Sequence, residues 1–427
     1  MSRVLEAAEL SEATDEVDGM DVADAPIRSL AERSARMSKA ILFALGMAVI
    51  LIAVSAPGIG EDAGATDGPR LGGDLPAFYA AGSIVLDGDI DQLYDAGRQQ
   101  VAQEALGIDG YLAFAYAPHV AVAYAPLSAL DFRVAYVVHT FAMAAAVVAA
   151  IHLLSDVVPA IRRWRWQLLA GCFTFVPLIT SVGGGQNASL SLLALAVVWW
   201  SLAKDREVLA GIAAGLLMFR PQYALPVIGL LLLSRHWRAV ACAAAVIIAT
   251  WFATAMLLGA GWVQTWLEQV VPFVERDAEV NAANSISLLG AFQAVLGVDS
   301  IVAQVLGVVG AAAVVITLVY LWLHAERFAL ETRMGAIALG VVLISPHTMF
   351  YDATLLTVAG AATLALRPST AGRVLAATWL AAFLHFANDA LGFTPLAVIA
   401  AAAFVLFVVS SSSPSASAEP QKALHHA

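Results

Sequence analysis

Residues 208–234 read VLAGIAAGLLMFRPQYALPVIGLLLLS, and this stretch decides the fold. Arg220 is its single charged residue. A helix needs roughly 20 apolar residues to cross about 30 Å of hydrocarbon. In lipid every backbone N–H and C=O must be satisfied within the chain, so an apolar run of this kind is helical. Pro221 lacks a backbone donor and interrupts the run at Arg220-Pro221-Gln222. The expected shape is a shallow hairpin, with helices over 208–219 and 223–234. Such a break at membrane depth persists only where protein or a water-filled cavity covers it.

The rest of the chain has the same character. It is 60% hydrophobic and 13% charged, with a mean hydropathy of +0.80; a soluble domain carries about 25% charged residues. Reading outward from the hairpin gives about twelve spans: 38–56, 134–154, 166–182, 189–203, 208–219, 223–234, 238–258, 300–323, 334–346, 351–366, 373–390 and 393–410. The fold class is all-α and integral to a membrane, a polytopic bundle with a large first external loop. No run alternates as the strands of an outer-membrane barrel do. A transmembrane domain is expected over 38–410, with external loops 57–133 and 259–299. Disordered cytoplasmic tails are expected over 1–37 and 411–427. The N-terminal tail is acidic and too long before the first apolar run to be a signal peptide. The apolar stretch from Tyr111 to Leu130, broken by Pro118 and Pro126, reads as interfacial or re-entrant.

Lysine and arginine set the orientation. With both termini inside, the inner segments carry 17 of the basic residues and the outer segments 5. Among the inner ones are Lys39, Arg162, Arg163, Arg165, Lys204, Arg206, Arg235 and Arg238. The net charge of -11 argues against a nucleic-acid partner. Cys172 and Cys242 both lie in apolar runs, so the loops hold no disulfide framework. The nine histidines show no metal-ligand spacing, and no dinucleotide fingerprint occurs, so no metal or cofactor is expected.

Within this topology the unusual polar residues fall at the outer ends of the spans. Asp74 stands nearly alone in Leu71-Gly72-Gly73-Asp74-Leu75-Pro76-Ala77-Phe78-Tyr79, at the bilayer edge. Around it in topology come Tyr79, Tyr116, Gln186, Asn187, Arg220, Gln222, Asn284, His347 and Asp352. Each taken singly is also readable as a loop residue in water. Arg220 is the hardest to read that way, because an ionisable group at membrane depth marks a functional site by default. Its guanidinium suits a phosphate, though it also suits a side chain snorkelling to headgroups. Gly183-Gly184-Gly185 lacks the lysine and hydroxyl of a phosphate loop and reads as a tight turn, leaving Gln186 and Asn187 as donors to a polar ligand. Asp74 is the first candidate for a general base. Asp352 is the second, should Asp74 serve as the N-cap of the helix that begins at Leu75-Pro76.

These segments together resemble glycosyltransferase family 87, membrane enzymes of the GT-C type, from about residue 70 to 365. The pieces are Gly73-Asp74 with Phe78-Tyr79-Ala80-Ala81-Gly82, Phe114-Ala115-Tyr116-Ala117-Pro118, Gly185-Gln186-Asn187, Phe219-Arg220-Pro221-Gln222, Asn284-Ser285, and Ser345-Pro346-His347 with Tyr351-Asp352. The family more often has lysine where this chain has Arg220. The resemblance implies a GT-C-like bundle and a polyprenyl-phosphate hexose donor, mannose above all. It implies a lipid or glycan acceptor and transfer on the outer face of a bacterial plasma (inner) membrane. It also makes an acid in the first external loop, here Asp74, the base, with Arg220 at the lipid phosphate. Two other classes fit the composition: a transporter or flippase of a lipid-linked or polar substrate, and a non-catalytic scaffold. No second copy of the 208–234 hairpin is found, as a repeat-built transporter would show.

Overall fold

The computed structural model describes residues 30, 32–53, 72–107, 111–281 and 284–411, and these are all-helical apart from one isolated bridge between Ser285 and Met349. The expected tails over 1–37 and 411–427 lie outside the described residues, save Leu30, 32–37 and Ser411, which are helical. In chain order the helices begin with α1 (Glu32–Ala53), α2 (Leu75–Asp87), α3 (Ala96–Glu104) and α4 (Pro118–Ser128). Next come α5 (Phe132–Val157), α6 (Pro159–Arg163), α7 (Arg165–Thr174), α8 (Val176–Gly183), α9 (Ala188–Ala203) and α10 (Glu207–Leu216). A 3-10 turn at Leu217–Phe219 leads to α11 (Pro221–Leu233), α12 (Trp237–Leu258), α13 (Trp262–Val280) and α14 (Leu288–Leu296). The chain closes with α15 (Ile301–Leu323), α16 (Leu330–Ile344), a 3-10 segment (Phe350–Leu355), α17 (Leu356–Leu366), α18 (Pro368–Leu384), α19 (Asn388–Leu391) and α20 (Pro395–Ser411).

These lengths support five to six candidate spans and do not show about twelve. Five helices are long and apolar enough to cross a membrane: α1, α5, α12, α15 and the helical stretch Pro368–Ala387. The pair α7 and α8, bent by 72° at Phe175, makes a sixth if read as one broken span. Helices do occur at the other expected positions, but the shorter apolar ones run only 10–17 residues. At about 1.5 Å per residue, the 16 residues of α9 reach roughly 24 Å, short of the hydrocarbon thickness. Hydropathy sums apolar character along the chain and is blind to a bend, so a run that turns at a proline or glycine is counted as if it were straight.

The hairpin is present. Glu207 at the start of α10 and His236 just after α11 meet at 3.0 Å, so the chain returns to the level from which it left. Arg220 sits at the tip, outside helical backbone, where Pro221 opens α11 as its first residue. Gly211 and Gly215 let α10 lie directly on α12, because a Cβ at either would strike the backbone of Ala239 or Ala243.

Two packing units carry the fold. The larger core joins α5, α8, α9, α11, α16 and α17 through side chains such as Leu154, Leu178, Leu195, Trp199, Leu231 and Val342. The smaller is aromatic: Phe78 stacks on Tyr124 at 4.7 Å and meets Tyr116 at 5.0 Å and Phe114 at 6.1 Å. It lies in the expected external loop 57–133, of which residues 57–71 and 108–110 are outside the described residues. Gln99 and Gln103, one turn apart on α3, act as a substitute strand for the extended segment after it. Gln103 bonds both the N–H and the C=O of Leu112, at 2.9 and 2.8 Å, and Gln99 accepts from Phe114 N–H at 3.0 Å. Their amides satisfy backbone groups that no sheet is there to satisfy, and so hold the segment that presents Tyr116.

Candidate functional site

Two glycine turns lock back to back. Gly72 and Gly73 have φ of 81° and 52°, and Gly185 has 70°, a region that side chains disfavour. The Asp74 N–H donates to the Gly184 carbonyl at 3.0 Å. A Cβ on Gly73 would press on the Gly184 backbone, and one on Gly185 would strike the Gly72 carbonyl and Leu75. The glycine-rich turn is tight and packs backbone against backbone. It is the abutment against which Asp74 is set. Gly185→Ala should cost more than about 1 kcal/mol and abolish activity. Gly183→Ala, where a Cβ meets nothing within 4 Å, should leave the melting temperature nearly unchanged. Thermal shift with an activity assay checks both.

Asp74 takes the N-cap position of α2, but its side chain makes no capping bond. Its Oδ2 accepts instead from Gln186 Nε2. The carboxylate is half-buried, while Gln186 is 4% exposed and its Oε1 is buried with no hydrogen-bond partner.

The next residue, Asn187, joins this pair to Arg220. Arg220 Nε donates to Asn187 Oδ1 at 3.0 Å, NH2 to the Tyr116 hydroxyl at 3.2 Å, and NH1 to Asp352 Oδ1. Three of the five guanidinium N–H donors are thus taken. Tyr223 and Tyr351 place their rings within 5.7 and 5.9 Å of the guanidinium carbon. Arg220 is 3% exposed and Asp352 1% exposed, so this is a sealed ion pair rather than an open guanidinium. Asp352 is further committed: its Oδ2 accepts the Met349 N–H at 3.1 Å and starts the 3-10 segment. Burial raises the Tyr116 phenol above its ordinary value, with the nearby Arg220 opposing, which keeps the hydroxyl protonated.

The remaining expected residues fall around this centre. Asn284 is exposed at the edge, beside the bridge from Ser285 to Met349 that carries the chain to Asp352. The Ile286 N–H bonds the Thr348 carbonyl at 2.9 Å and completes that tie. His347 is half-buried against Phe273, ring to ring at 5.8 Å. Gln222 sits on the first turn of α11, half-buried. Tyr79 is turned away from the cluster: its hydroxyl donates to the Leu130 carbonyl at 2.7 Å and its ring packs on Phe132. The structure adds members that the sequence reading passed over. The Tyr124 hydroxyl meets His139 Nε2 at 3.0 Å beneath Tyr116, and Tyr223 backs the guanidinium. Nothing in the local sequence flags these, since an aromatic in an apolar helix reads as packing.

The cluster lies at one end of the helices. Asn187 and Lys204 bracket α9, and Arg220 and His236 bracket α11. At the far end Asp156 holds Lys204 at 3.0 Å and Arg162 at 3.4 Å. These features define a multi-pass membrane protein with a half-open carboxylate and a sealed ion pair side by side at one face. The chain belongs to glycosyltransferase family 87: the family's model matches residues 114–346, more than half of the chain. It is therefore a membrane glycosyltransferase. The match contains Tyr116, Gln186, Asn187, Arg220, Gln222 and Asn284, and stops short of Asp74, Tyr79, His347 and Asp352. No protein of curated function and no solved structure matches the chain.

Proposed function

We propose that the protein transfers a hexose, mannose by preference, from a polyprenyl-phosphate donor to a hydroxyl of a lipid or glycan acceptor, and that Asp74 is the base. The observation that carries the reading is the contrast between the two acids. Asp74 is half-open, its Oδ2 accepting from Gln186, whereas Asp352 is sealed against Arg220. A base must reach the proton it takes, and only Asp74 is placed to do so. The acceptor O–H gives its proton to an Asp74 oxygen while that acceptor oxygen bonds to the anomeric carbon. The bond from the anomeric carbon to the phosphate oxygen breaks, and the lipid phosphate leaves with the electron pair. Gln186 holds Asp74 in register, and its free Oε1 is offered to a sugar hydroxyl. Arg220 is a positioning residue. It fixes Asn187 and Tyr116 in the wall, and its positive charge, close behind that wall, favours the negative charge that develops on the leaving phosphate.

A lipid-linked donor suits a site at the membrane edge in a chain with no nucleotide-binding fingerprint. The basic residues at the opposite end of the helices support a site facing outward from a bacterial plasma membrane. Purified protein incubated with polyprenyl-phosphate mannose and a glycolipid acceptor should release free polyprenyl phosphate together with extended acceptor. Movement of intact donor across a vesicle membrane, with no release, would instead indicate a flippase.

A further inference from the structure

A groove of about 650 Å³ runs along the membrane-facing side of α5 and ends at the start of α7. It lies away from the catalytic cluster: His152, at its far end, is about 30 Å along α5 from Phe132. Its walls are apolar, with Phe141, Ala145, Val148 and Ala149 on α5. Val148 stands exposed on a helix long enough to cross the membrane, and Phe141, also exposed, lies beside Gly46 of α1, so the slot opens to lipid between α1 and α5.

The groove ends differently. Arg165, Trp166 and His152 close it. Arg165 Nε is buried and has no hydrogen-bond partner. The Arg165 guanidinium lies over the Trp166 ring at 5.2 Å, and Lys39 of α1 lies over the same ring at 4.6 Å. Asp156, one turn beyond His152, is taken up by Arg162, Lys204 and the Trp200 indole. Two cations, an unused buried donor and an interfacial tryptophan thus sit where an apolar slot opens at headgroup level.

We propose that this groove holds one phospholipid with an anionic headgroup, an acyl chain along α5 and the phosphate against Arg165 and Lys39. The lipid would seal α1, which is almost wholly exposed along its length, against α5 and α7. Gln167 bonds Ser34 at 2.6 Å near one end of α1, and Arg133 bonds the Ala53 carbonyl at 3.2 Å at the other. The proposal is independent of the transfer reaction.

Native mass spectrometry of the full-length protein in mild detergent tests it, with phosphatidylglycerol, phosphatidylcholine and inorganic phosphate added separately. The wild type should retain one phosphatidylglycerol at concentrations where phosphatidylcholine is lost. Arg165→Gln with Lys39→Gln should weaken phosphatidylglycerol retention about tenfold, as expected on losing two basic contacts to an anionic headgroup. Ala145→Trp, which fills the slot from its lipid-facing side, should weaken retention of both lipids, and Arg165→Lys should keep most of it. Unchanged retention in the double variant and in Ala145→Trp would overturn the proposal. So would displacement of the lipid by millimolar inorganic phosphate, since a free anion would then be the ligand.

Discussion

Arg220→Ala should destabilise the protein by about 3–5 kcal/mol, because it leaves Asp352 charged, buried and unpaired. Asp352→Asn should do comparable damage from the other side. The cost belongs to the orphaned charge and not to the pair as such. Arg220→Met combined with Asp352→Leu should therefore recover much of the loss, since well-packed apolar residues often replace a buried ion pair at little cost. The double variant should still be inactive, because Asn187 and Tyr116 lose the donor that fixes them. Arg220→Lys keeps the charge but not the fork: one ammonium cannot reach Asn187, Tyr116 and Asp352 in their three directions. It should fold poorly and turn over slowly. Denaturation in detergent, read beside transfer, separates the two effects. A single Arg220→Ala as stable as the wild type would mean that the pair is open to water in the membrane.

The second large effect is on rate alone. Asp74→Asn should lower transfer by about 10²–10⁴-fold, the range for losing a general base. It should leave stability nearly untouched. Asn is the same size, its Oδ1 can still accept from Gln186 Nε2, and the backbone bond from residue 74 to Gly184 is unaffected. Donor binding should also survive, because the wall built from Asn187, Tyr116 and Arg220 does not pass through the residue-74 side chain.

Much of the site was legible in the sequence because charge is scarce there. In a chain with 13% charged residues, an acid between glycines and an arginine in an apolar run stand out unaided. The bias of basic residues then places Asp74, Gln186, Asn187, Arg220 and Asp352 at one end, and the structure joins these same residues. The pairing itself was not legible. Arg220 and Asp352 are 132 positions apart, and no local spacing encodes a contact of that range. Without it, Arg220 reads as an open guanidinium and Asp352 as a spare base. The glycines were visible, but their use was not, since a close approach of two backbones leaves no side chain to signal it. Gln99 and Gln103 were missed for a related reason. Two glutamines a turn apart on a polar helix look like solvated residues until the strand-like segment they clasp is placed. The run 166–182 carries a 72° bend at Phe175, before Pro177, that its apolar composition does not show.

Of the two acids, the half-open Asp74 is the one placed to take the acceptor proton. Transfer from radiolabelled polyprenyl-phosphate mannose, measured with donor binding on the same preparations of wild type and Asp74→Asn, tests it most directly. Asp74→Asn should bind donor as the wild type does and transfer at least about a hundredfold more slowly. Wild-type transfer by Asp74→Asn, with donor bound normally, would contradict it.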